Sequence, residues 1–123
     1  MTLLERSALR VPTLPREAVP FAPLGGDVQV CGLRLSERLA FSSRRAALAK
    51  PQAGETEDQA AARAGALMVP EVLALTVRLA DGDPALSIEE WESLGASHPA
   101  ECLALFHAAM RLSGHDAEAD RKN

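Results

Sequence analysis

The apolar positions change period along this chain, and the changes mark out its elements. Between Asp27 and Leu35 they alternate: Val28, Val30 and Gly32 fall on one side, Gln29 and Cys31 on the other, with Leu33 and Leu35 following. A period of two predicts a short strand. One strand alone is marginal, so it needs a partner, from the N-terminal segment or from a second copy. From Leu39 the period is helical. Leu39, Phe41, Ala46 and Leu48 fit one helix; Ala60, Ala64, Leu67 and Met68 fit the face of another, and Val72, Leu75 and Leu79 keep its phase. Leu73, Leu75, Val77 and Leu79 also alternate, so a strand over Leu73 to Leu79 rivals the helix, which is the favoured reading. In the last segment Leu103, Phe106 and Met110 form one stripe, and Cys102, Leu105, Ala109 and Leu112 the next. A stripe that wide predicts burial on more than one side.

Caps and breakers set the boundaries. Ser36 is a helix N-cap, with Leu35 before it and Ala40 as a weak staple; the helix ends near Lys50, before Pro51. Gln52 to Glu55 is a linker. Thr56 caps the next helix, with Glu57 and Asp58 at its positive end. Pro70 predicts a kink there, or two abutting helices. Asp81-Gly82-Asp83-Pro84 is a turn, and Ser87 with Glu90 makes a capping box for a helix that Gly95 should end. Pro99 starts the last helix and Gly114 closes it. Four of the eight prolines lie in residues 1–26, which predicts an irregular or extended arm, either loose or ordered on a partner. Residues 27–114 would be the helical domain and residues 115–123 a charged, frayed tail. The expected fold is mainly α with minor β: a compact bundle of four to five short helices with a short N-terminal strand or hairpin.

Composition narrows the function. Hydrophobic residues are 47%, so a core is expected, yet aromatics are only 3%. Leu, Val and Ala must build that core, which favours helices. A net charge of −4 and scattered arginines argue against a nucleic-acid partner. No apolar run reaches the ~18 residues of a membrane span, and no leader is visible, so a cytoplasmic protein is expected.

Candidate chemistry is thin. The stretch from Asp81 imitates a calcium loop with Asp81, Asp83, Ile88 and Glu92, but Ala85 stands at a ligand position and Leu86 where glycine makes the turn. His98, Cys102 and His107 have poor zinc spacing, and Cys31 is the only other thiol. Ser42, Ser43, Ser87 and Ser113 have helix-face or capping explanations; Glu89, Glu90 and Glu92 read as surface charge; Gly25-Gly26 lacks a phosphate-loop pattern. Neither catalysis nor a cofactor or metal is expected. Trp91, the one tryptophan, is either a plug between the last two helices or an interface anchor.

Several stretches together resemble the tail assembly chaperones of long-tailed (siphovirus-type) bacteriophages, usually prophage-encoded. They are VQVCGLRLSERLAF from Val28, VPEVLALTVRLADGDPALS from Val69, EEWESLGASHP from Glu89, and ECLALFHAAMRLSG from Glu101, followed by a charged tail ending in Lys122-Asn123. The resemblance implies a non-catalytic protein that coats the long tape measure protein, helps recruit tail tube subunits, self-associates, and is absent from the finished virion. Coating a long helical partner needs an apolar face. The candidates are Trp91, Leu103, Phe106, Met110, Leu67 and Met68, each of which reads equally as plain core. The alternative is a small structural or regulatory morphogenesis protein that stays in the particle.

Overall fold

The computed structural model describes residues 2–10 and 13–114. The fold is mainly α with a small antiparallel sheet. Strand β1 (Arg16–Phe21) pairs antiparallel with β2 (Gly26–Cys31), from Arg16 opposite Cys31 to Phe21 opposite Gly26. A 3-10 turn at Ala22–Leu24 and Gly25, at φ 82°, reverse the chain between them. The two-residue β3 (Val77–Arg78) pairs on the other side of β2, giving the order β1-β2-β3. Alternation sends Val28, Val30, Val77 and Phe21 inward, where all are buried. Pro20 is tolerated in β1 because that strand is an edge with no ladder partner on its outer side.

The proline-rich segment therefore divides. Residues 16–21 form the second strand of the hairpin, and the boundary drawn at residue 26 falls at the turn end of that hairpin. The partner β2 needs comes from this same chain. The strand expected over Asp27 to Leu35 ends at Cys31, because Gly32 passes under α4: a Cβ there would lie 2.7 Å from the Leu112 carbonyl oxygen.

Helix α1 (Leu35–Leu48) is capped at Arg34, not Ser36. Glu37 decides this, since its carboxylate accepts from the Arg34 N–H at 2.9 Å. Helix α2 (Glu57–Thr76) begins on the expected Thr56, whose hydroxyl accepts from the Gln59 N–H at 3.1 Å while Gln59 Oε1 accepts from the Thr56 N–H at 2.9 Å. It runs as one helix through Pro70, so the two-helix alternative is not realised. The helix and strand readings of Leu73 to Leu79 are each half right: α2 continues to Thr76 and passes directly into β3.

Helix α3 (Ile88–Ser97) starts at the Ser87–Glu90 box but does not stop at Gly95. Its end is set by the next proline, which drives the preceding residue out of the helical region: His98 sits at φ −132°, ψ 61°. Helix α4 (Pro99–Leu112) follows at once and closes at Gly114, at φ 88°.

The core lies between the sheet and the helices, around Trp91, Leu73, Leu105, Val30, Val72 and Val77. Two polar links lock α4 to the hairpin. The buried Ser113 hydroxyl accepts from the Leu33 N–H at 2.8 Å and donates to the Ala109 carbonyl at 2.6 Å. Arg111 pairs with Glu17 of β1 at 2.6 Å. Among the described residues no helix is long and apolar enough to cross a membrane.

Candidate functional site

Helices α2 and α4 do not fill the space between them. They flank a cavity of about 540 Å³, with Phe41 and Arg45 of α1 contributing to its lining. The α4 wall is Leu103, Phe106, His107 and Met110; the α2 wall is Ala61, Ala62, Gly65, Ala66 and Val69. Four of those five α2 residues carry at most a methyl group. Gly65 is the extreme case, since a Cβ there would meet nothing within 4 Å. A large side chain on α4 facing a smooth helix leaves a groove. Arg45 and His107 are its only ionisable lining residues, and the rest is apolar.

A second cavity of about 270 Å³ lies between α1 and α2, with Leu33, Ala40, Phe41, Met68, Val72 and Leu75 in its lining. Phe41 lines both. Arg44 and Glu71, also in the lining, bind one another side-on, with Arg44 Nε 2.9 and 2.7 Å from the two carboxylate oxygens. That hydrogen bonding, with the charge of Glu71, pushes the Arg44 guanidinium further up from its ordinary value.

The six candidate residues separate into three sets. Leu103, Phe106 and Met110 come together in the α2–α4 groove. Leu103 is 44% exposed, Phe106 half-buried and Met110 only 9% exposed, so the stripe slopes from solvent into the core. Met68 is buried and lines the smaller cavity. Leu67, 51% exposed, lines neither. Trp91 is 1% exposed and packs edge-on against Phe21, ring centroids 5.9 Å apart at 61°. In this chain it is core, and its indole N–H has no acceptor among the described residues.

The small residues of α2 are what the sequence reading missed. The run Ala60-Ala61-Ala62-Arg63-Ala64-Gly65-Ala66 was the available signal. It was read only for its buried face, Ala60 and Ala64, and the other face forms the groove. Phe21, too, went unnoticed as the partner of Trp91.

The remaining candidates lie in separate surroundings. His98 Nδ1 is 3.8 Å from Glu101; Cys102 is buried; His107 lies on the groove and its ring is 6.0 Å from Phe106. Burial pushes the Cys102 thiol up, and the charge of Glu101 adds to that. Asp81 accepts from the Asp83 N–H at 2.9 Å, which makes the loop an Asx turn. Comparison with family models, with curated proteins and with solved structures returns no match to this chain.

Proposed function

We propose that this chain is a tail assembly chaperone of a long-tailed bacteriophage, acting without catalysis in the host cytoplasm. Its task is to sheathe the tape measure protein and help bring tail tube subunits to it, and it leaves before the virion is complete. In this reading the four helices act as one compact bundle, with the N-terminal hairpin strapped across it.

One observation carries the reading: an open apolar groove whose one wall is small residues and whose other wall is Leu103, Phe106 and Met110. Small residues let a partner helix approach closely, and a Met adapts to different side chains along a long partner. Leu103 stays outside the core, so its exposure has no structural use within the chain.

The test is an N-terminal-tag capture from cells expressing the whole native locus, read by mass spectrometry. The expected result is recovery of a very long helical tail protein with the native chain. A Leu103→Ser, Phe106→Ser variant should lose it while keeping a native circular dichroism spectrum. Recovery of no such protein, with this chain present in purified particles, would move the assignment to a structural morphogenesis protein.

A further inference from the structure

The ionisable side chains are sorted toward two ends of the molecule. From Leu79 to Met110 there are six carboxylates and no Lys or Arg. Three of them, Glu89, Glu90 and Glu92, are exposed on α3 and make no ion pair among the described residues. Glu89 and Glu90 line an open apolar hollow of about 500 Å³ with Leu24, Leu86 and Leu94.

The other end is cationic. Arg16 stands opposite Cys31 and Arg78 opposite Gln29, so alternation puts both arginines on the outer face of the sheet. Arg34 joins them around a cleft of about 360 Å³, edged by the exposed Leu14 and Leu75. Glu37, the one carboxylate in its lining, is held by the Arg34 N–H and lies 3.4 Å from that guanidinium. Arg78 is pinned by the carbonyls of Gly82 and Leu75, both at 3.2 Å. Arg16 has no carboxylate partner among the described residues, and neither Asp81 nor Asp83 pairs with any of the three arginines. Three guanidiniums around one cleft repel one another unless an anionic surface meets them.

The two patches lie at opposite ends of the hairpin: Leu24 belongs to its closed end, Arg16 to its open end. Six paired residues separate those ends by about 20 Å. One copy cannot bring its own patches together, but two copies can.

We propose that copies of this chain join head to tail, the acidic apolar face of α3 on one copy seating in the arginine cleft of the next. The patches are different, so the contact is heterologous and each joined pair keeps one free patch of each kind. This does not depend on what the α2–α4 groove holds, and it stands or falls separately from the chaperone reading.

The experiment is sedimentation velocity on the full chain, at rising protein concentration, in about 20 mM and about 500 mM salt. Mass should rise with concentration at low salt and fall back toward the monomer at high salt. Arg16→Glu with Arg78→Glu, and separately Glu89→Lys with Glu92→Lys, should each weaken association at least about tenfold. Mixing the two variants should restore it, because reversed charges then face each other. Melting curves of each variant check the fold, and Arg16→Gln with Arg78→Gln substitutes where reversal unfolds it. A native chain monomeric throughout at low salt overturns the proposal. So does association that survives high salt or either reversal, or a mixture that stays monomeric.

Discussion

Helix α4 has two apolar surfaces made of the same kinds of residue, and they meet different fates. Cys102, Leu105 and Ala109 are sealed into the core with Trp91, Val72 and Val30. Leu103 and Phe106, on the neighbouring stripe, face Ala61, Ala62, Gly65 and Ala66 across an unfilled groove. The periodicity of α4 alone cannot separate the two. What separates them is the size of the residues opposite, which belong to another helix some 40 positions earlier in the chain. A side chain becomes core when its neighbours close over it, and a docking surface when they are too small to do so.

The sharpest way to break that contrast is on the sealed side. Trp91→Ala should destabilise by about 3–5 kcal/mol, read from denaturant midpoints, because the void left between Phe21 and its neighbours cannot collapse fully. An unchanged midpoint would put Trp91 outside the core and undo the comparison. Two glycines then allow the same substitution with opposite sign. Gly32→Ala forces a Cβ to within 2.7 Å of the Leu112 carbonyl and should cost about 1–3 kcal/mol. Gly65→Ala meets nothing, sits inside α2, and should stabilise by up to about 1 kcal/mol. A loss of stability at Gly65 would mean the groove is narrower than described.

The smallest expected effect lies at the start of α2. Arg63 donates to both oxygens of Glu55, at 2.9 and 3.1 Å, and the Gln52 N–H adds a third bond. The Arg63 guanidinium first, then that N–H, hold Glu55 below its ordinary range. A depressed folded value means the contribution is fully present above the ordinary carboxylate range and fades as pH falls through the depressed one. The difference in urea midpoint between the native chain and Glu55→Gln should therefore shrink on acidification. A difference that grows would reverse the assignment.

Local signals carried most of the fold. The caps at Thr56 and Ser87, the Pro99 start and the Gly114 stop all act over four or five residues, and they read directly from the chain. The features that were misjudged depend on competition or on distance. Ser36 is a good cap in isolation, but Glu37 reaching back to Arg34 starts α1 two residues sooner. Gly95 is a helix stopper only when it takes a positive φ; here the chain waits for Pro99. Of the candidate site, the α4 stripe was legible and the α2 wall was not, because an alanine run announces a helix without saying which side stays empty.

The Leu33–Ser113 hydrogen bond spans 80 positions. It places the final lock of the hairpin in the last turn of the last helix. Helices α1 to α3 can form as each leaves the ribosome, since their contacts are near in sequence. The end of β2 must wait for nearly the whole described chain. Folding of this protein is therefore expected to finish late, with a fast helical phase and a slower closure that a truncation before Pro99 would never reach.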